Sequence, residues 1–572
     1  MTHAIKYLFV ISHVSSLILS EGAKESSTNF PVIELKAGQV RGKRDSVAKG
    51  QDIDLFIGIP YAQPPTGELR FAAPQSAKPW KGILNATEYG AQCPQEETIG
   101  EGVLAGPKSE DCLFLNIYRP ATIKENTTLA VMVWIHGGGL YHGSGSLYDG
   151  SVLASYNDVI VVTFNYRLGL LGFLTIPGTE LTGNYGMLDQ VMALKWVKEN
   201  IRSFGGNPDQ VTLFGNSAGG SSTDLHILSP LSKGLFQKAI AQSGFATTAY
   251  VTVSSKHSSR YAHFADKLNC KDKKQMLSCL RKVTVEEIAK AQGICDYLNL
   301  GSHLPVQIVD GLFLPDKPSV LLSQGRFNPI ETVMFGANKD EGVSKLHGVQ
   351  PDPKIPPSRD SFLKTFNNIF FMGEEANDIT KDAILYKYTN HTEPDSKENL
   401  LQNWRDLITY SWYISRAVFS AQNYAKAGIK TYLYRFSHNS KYSTYPQPIP
   451  GVYHFDEVQY IFGVPWKRNN YISKATSYTD VERGLSVSMM RLWANFAKYG
   501  NPSNLDNDLT PWPKYNIDSQ EYLDIDLEPS IKRKIRADHI AFWNDFVPKL
   551  NNFDCHPDKK NDENAARQRQ EL

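Results

Sequence analysis

Ser217 stands in the hexapeptide Gly215-Asn216-Ser217-Ala218-Gly219-Gly220, directly after the apolar run Gln210-Val211-Thr212-Leu213-Phe214. The pattern G-x-S-x-G is one in which a short buried strand turns sharply into a helix and holds a serine hydroxyl out at the top of a sheet. Glycines flank the serine because side chains would crowd so tight a turn. In a chain with 42 glycines the pattern alone is a weak signal. It gains weight upstream, where Val131-Met132-Val133-Trp134-Ile135 runs into His136-Gly137-Gly138-Gly139. That is a second apolar strand, ending in the kind of glycine loop whose backbone N–H groups bind an oxyanion. Two matching parts, each at the end of a predicted strand, point to acyl transfer.

The elements that must hold these parts alternate between strand and helix. Short apolar, β-branched runs occur at 131–135, 159–164, 211–214, 239–242, 332–335 and 431–434. Between the second and third lies the stripe Leu188, Val191, Leu194, Val197, Ile201, at helical spacing. Such alternation predicts an α/β fold: a large, mostly parallel central sheet covered by helices on both faces. Ligands of such sheets bind beyond the carboxyl ends of the strands, where Ser217 and the glycine loop would sit.

Composition narrows the class. With 41% hydrophobic and 11% aromatic residues the chain has ample core for a large globular unit. Lys+Arg 60 against Asp+Glu 59 leaves a net charge of +1, without the basic block that nucleic-acid binding would require. Lys6 precedes Tyr7-Leu8-Phe9-Val10-Ile11 and an apolar stretch to Leu19, then Ser20, Gly22 and Ala23. This predicts a signal peptide over 1–22 and secretion, with a buried N-terminal strand or helix as the alternative. No later run has the length of a membrane span, and sequons at Asn85, Asn126 and Asn390 fit a secreted glycoprotein. Residues 556–572 are polar and charged and predict a disordered tail. Its last residues, Arg569-Gln570-Glu571-Leu572, distantly resemble an ER-retrieval tetrapeptide but lack its usual first two residues, so secretion is favoured over the ER lumen.

The six cysteines fit the same compartment. Cys93 and Cys112 enclose one loop and Cys270 and Cys279 a shorter one; Cys295 and Cys555 could pair or stay free. No two have C-x-x-C spacing, which argues against zinc or redox chemistry.

Three further segments stand out: Phe56-Ile57-Gly58-Ile59-Pro60-Tyr61-Ala62, Ser109-Glu110-Asp111-Cys112-Leu113-Phe114-Leu115-Asn116-Ile117-Tyr118, and Asn165-Tyr166-Arg167-Leu168-Gly169. In them the chain resembles the type-B carboxylesterases, the family that includes cholinesterases, juvenile hormone esterases, bile-salt-activated lipase and the non-catalytic neuroligins. Asp189-Gln190, Phe204-Gly205-Gly206-Asn207-Pro208 and Arg491-Leu492-Trp493-Ala494-Asn495-Phe496 add to the resemblance, and together they cover about residues 31–550. It implies one α/β-hydrolase domain over 23–555.

In that fold the partners of the serine follow in the order acid, then His. Gly336-Ala337-Asn338-Lys339-Asp340-Glu341-Gly342 matches the family's acid motif and makes Glu341 the acid, with Asp340 as the alternative. Gly451-Val452-Tyr453-His454-Phe455-Asp456-Glu457 matches the motif of the base and singles out His454 among 14 histidines. The resemblance assigns the oxyanion donors to the backbone of Gly138, Gly139 and Ala218. It gives Ser243 a supporting place beside the triad, and implies buried ion pairs Arg70–Glu110 and Arg167–Asp189 and disulfides Cys93–Cys112 and Cys270–Cys279. Hydrolysis by such a triad needs no metal or cofactor.

Two departures stand out. Asn216 occupies a position where relatives commonly carry Glu or Gln, so a charge that would favour protonated His454 is absent. Cholinesterases carry a tryptophan in the first disulfide loop that binds choline by cation–π attraction, and this chain has none between Cys93 and Cys112. The expectation is therefore a secreted carboxylic-ester hydrolase acting on a small-molecule ester other than acetylcholine. A neuroligin-like adhesion protein is the alternative class, and a juvenile-hormone-type esterase the alternative within enzymes.

Overall fold

Val131, Val133 and Ile135 pack into one apolar cluster while Met132 and Trp134 pack into another, on the opposite side of a sheet. A strand buried on both faces needs apolar side chains at every position, which is why this stretch reads as an unbroken run. The structure, a computed structural model, describes residues 30–47, 51–95, 106–248, 252–253, 262–292, 306–343, 357–369, 376–443, 451–467, 477–504 and 509–552.

Among the described residues the central sheet has 11 strands. In chain order they are β1 (Lys43–Val47), β2 (Gln51–Pro60), β3 (Phe114–Pro120), β4 (Leu129–Ile135), β5 (Ile160–Phe164) and β6 (Gly206–Asn216). β7 (Lys238–Gln242), β8 (Thr332–Asn338), β9 (Lys430–Phe436), β10 (Glu521–Ile525) and β11 (Ser530–Arg533) follow. Across the sheet the order is β11-β10-β9-β8-β7-β6-β4-β5-β3-β2-β1. All neighbours from β5 to β10 are parallel. Both margins are antiparallel. All six runs expected as strands are strands of this sheet, and the mostly parallel α/β architecture holds. The antiparallel margins were not foreseen. β1 (Lys-Arg-Asp-Ser-Val) and β11 (Ser-Ile-Lys-Arg) are polar edge strands without the apolar signal of the interior.

Helices cover both faces. The stripe beginning at Leu188 belongs to α1, Tyr185–Asn200, which continues into a 3₁₀ turn over Ile201–Phe204. Helix α2, Ala218–Leu228, starts at the residue after Ser217 and contributes Leu225 and Ile227 to the cluster on one face. Helix α3, Asp480–Tyr499, sends Met489, Met490 and Trp493 into the other. Its start is capped by Thr479, whose hydroxyl accepts the Glu482 N–H, and Gly500 closes it in the left-handed region.

Disulfides join Cys93 to Cys112 (Cα–Cα 4.9 Å) and Cys270 to Cys279 (5.7 Å). Arg167 meets Asp189 at 2.7 Å with both side chains buried, and Arg70 meets Glu110 at 2.6 Å. Arg70 also donates to the carbonyls of Leu280, Arg281 and Val283, fastening the segment that carries the second disulfide. Residues 1–22, expected as a signal peptide, residues 556–572, expected as a tail, and Cys295 and Cys555 lie outside the described residues. Among the described residues no helix is long and apolar enough to cross a membrane.

Candidate active site

Strand β6 ends at Asn216 and helix α2 begins at Ala218, so Ser217 makes the whole turn. Its backbone stands at φ 59°, ψ −126°, a region that non-glycine residues avoid at a cost of about 1–3 kcal/mol. The neighbours compensate through hydrogen bonds: Ser217 N–H donates to Gln242 O (2.8 Å), and Ser217 O accepts from Ser221 N–H (2.9 Å). Close packing dictates the glycines here. A Cβ on Gly219 would fall inside the Ile135 carbonyl at the end of β4. The glycine loop after β4 thereby lies directly against the elbow. A Cβ on Gly137 would come within 3.1 Å of the Ser217 Cβ.

Glu341 follows β8 and is fully buried. Its Oε1 accepts from the Asn338 N–H (2.7 Å) and the Ser243 hydroxyl (2.5 Å), and its Oε2 faces His454 Nδ1 at 2.6 Å. A carboxylate there fixes the tautomer with the proton on Nδ1 and leaves Nε2 free to accept one. The neighbouring Asp340 turns elsewhere: its Oδ2 accepts the Val452 N–H (3.1 Å), and its Oδ1 lies 3.5 Å from Arg405 Nε. Ser243 thus contacts Glu341 directly through its hydroxyl.

His454 is 8% exposed, and its imidazole packs against the ring of Tyr413, with centroids 5.1 Å apart. Tyr413 belongs to a π-helical turn, Thr409–Ile414, whose Thr409 hydroxyl accepts the N–H of Gly342 (3.0 Å), next to Glu341. Such turns displace side chains from ordinary helical spacing and recur at functional sites. Helical periodicity alone could not have flagged it.

Sequence reasoning also missed a buried polar cluster behind the site. Glu457 is fully buried and accepts from the side-chain amides of Asn216 (2.6 Å), Gln242 (3.0 Å) and Asn338 (2.8 Å). Burial, then the charge of Glu341, raises its carboxyl above the usual range. Asn338 also donates to the Tyr453 carbonyl (2.6 Å), next to His454. The two motifs holding Asn338 and Glu457 were legible, but amides and a carboxyl at unremarkable spacing gave no sign that they meet. Among the described residues no group of three or more His, Cys, Asp or Glu is placed to hold a metal ion.

A serine on a strained strand-to-helix turn, with a carboxylate–histidine pair on the segments that follow two neighbouring strands of a mostly parallel sheet, defines the chain as an α/β-hydrolase. It belongs to the carboxylesterase family, whose sequence profile matches residues 29–543. Over 540 residues it is 37% identical to an acetylcholinesterase of Bungarus fasciatus, an alignment covering 91% of this chain and 87% of that protein. The chain is a carboxylic ester hydrolase.

Proposed function

We propose that the protein is a secreted serine carboxylesterase in which Ser217 is the nucleophile, His454 the general base and Glu341 the orienting acid. The observation that carries this reading is the 2.6 Å contact between buried Glu341 and His454 Nδ1, across 113 residues of sequence; the same carboxylate accepts from Ser243, whose neighbour Gly244 lies against the Ser217 carbonyl. His454 Nε2 takes the Ser217 proton as the hydroxyl attacks the ester carbonyl. Backbone N–H groups of Gly138, Gly139 and Ala218 stabilise the negative oxygen of the tetrahedral intermediate. His454 then returns the proton to the leaving alcohol. Water, activated by the same base, attacks the acyl-enzyme and releases the acid.

The relative reported above is an acetylcholinesterase. Because the first disulfide loop of this chain has no tryptophan, we assign it esters without a quaternary ammonium group. Export rests on the N-terminal sequence, and we extend it to glycosylation. Asn85 and Asn126 are exposed and Asn390 is half-buried.

The test is Ser217→Ala with a panel of p-nitrophenyl esters of graded acyl length. Turnover should fall by several orders of magnitude, on the order of 10⁶ as in a comparable triad, with the fold retained. An organophosphate should label Ser217 stoichiometrically and no other serine. Full activity in folded Ser217→Ala would sink the assignment, as would a wild type inert across the panel.

A further inference from the structure

The end of the glycine loop is held by two side-chain amides from other parts of the chain. Gly138 O accepts the N–H groups of both Tyr141 and His142 at 3.1 Å, which folds the glycines into a closed turn ending at Gly143. Gly143 has φ +112°, and a Cβ there would come within 2.5 Å of His136 Nδ1, so the turn can end in this way only on glycine. Gln95 forms a two-way pair with Gly143. Its Oε1 accepts the Gly143 N–H at 2.8 Å and its Nε2 donates to the Gly143 carbonyl at 2.9 Å.

Both amides also reach the first disulfide. Gln95 Nε2 donates to the Cys93 carbonyl at 3.1 Å. Asn165 accepts the Gly145 N–H (2.8 Å) and the Ser144 hydroxyl (3.1 Å) on its Oδ1, while its Nδ2 donates to the Cys112 carbonyl (3.1 Å). Cys93 and Cys112 are bonded to each other. Each half-cystine is therefore linked by one amide to the segment that closes the glycine turn. Gln95 is 7% and Asn165 5% exposed, so water has little access to replace these bonds.

We propose that Gln95, with Asn165 opposite it, is a positioning residue for the oxyanion hole, tying the turn that carries Gly138 and Gly139 to the Cys93–Cys112 bridge. This rests on the assignment of those two glycines to the hole. Donors aimed at a developing oxyanion work because they need not reorganise as charge appears. Loosening the turn should therefore weaken transition-state binding more than substrate binding.

Gln95→Leu removes the pair at similar volume. We expect kcat to fall by about 10-fold or more, with KM within about threefold of wild type. Affinity for a trifluoromethyl ketone, whose adduct with Ser217 places an oxyanion in the hole, should fall by about the same factor as kcat. If the Leu variant does not fold, Gln95→Ala, which leaves room for a bridging water, is measured instead. Wild-type kcat and ketone affinity would overturn the proposal, as would a change in KM alone. Failure of both variants to fold would do so too, since Gln95 would then serve only stability. A wild type that turns over esters through Ser217 yet binds the ketone no more tightly than substrate would instead overturn the assignment of the hole.

Discussion

Asn216 donates a side-chain N–H to the buried carboxyl of Glu457 across 2.6 Å, linking the residue before Ser217 to the segment that carries His454. Because Asn338 reaches the same carboxyl and also gives its backbone N–H to Glu341, one buried group ties the ends of β6 and β8 to the segment that carries His454. The neutral amide at 216 keeps a further negative charge away from Glu457, which already lies in the field of Glu341.

Asn216→Asp should expose that arrangement. A new carboxylate beside Glu457 favours the imidazolium form of His454, so the acid limb of the kcat/KM profile should move to higher pH. Activity at neutral pH should fall and recover in alkaline buffer. A profile superimposable on wild type would show that position 216 does not communicate with the base.

The Arg167–Asp189 pair is buried on both sides, and Arg167 N–H also donates to the Asp189 carboxylate (3.0 Å). Asp189→Asn leaves the guanidinium without its counter-charge and should cost about 3–5 kcal/mol. The denaturant midpoint reads this loss. Combining it with Arg167→Met should give less than the sum of the single effects, because both changes remove one interaction. Strict additivity would refute the coupling.

Non-reducing peptide mapping should recover Cys93 with Cys112 and Cys270 with Cys279, as the structure joins them. A crossed pair, such as Cys93 with Cys279, would contradict the loop arrangement and the bracing of the glycine turn.

Three buried histidines set an acid limit on stability. Burial lowers His136 to about 4 and His226 to about 3, and burial together with the charge of Arg536 lowers His539 to about 4. In the unfolded chain each titrates near 6.5, so below that pH the unfolded state binds more protons than the native one. Stability is therefore fully present above pH 6.5 and is lost as pH falls toward the folded values. At pH 5 the fully buried His136 and His226 each contribute a loss of about 2 kcal/mol relative to pH 7, and His539 contributes less, because solvent screens its charge. Denaturant titrations at both pH values check this. His226→Gln should flatten the dependence, and an unchanged slope would refute the role of His226.

The amino-acid sequence determined the parts that are local. An elbow, a glycine turn and strands buried on both faces each need particular residues in consecutive positions, so Ser217, Gly138 and Gly139, and the runs of β4 to β9, could be read directly. Glu341 and His454 were singled out only through the family's motifs, because an acid and a histidine in loops carry no local signature of their own. The edge strands were not legible, since β1 and β11 need only backbone pairing and carry ordinary polar side chains. Tertiary structure alone decided which amides face which carboxyls. Gln95, Asn165, Asn338 and Glu457 are polar residues that sequence places by default at the surface. Folding instead buries them, and in the low dielectric of the interior each buried donor and acceptor must find a partner from a distant segment. The partner is set by how the sheet, the disulfide and the glycine turn pack together, and no local pattern records that.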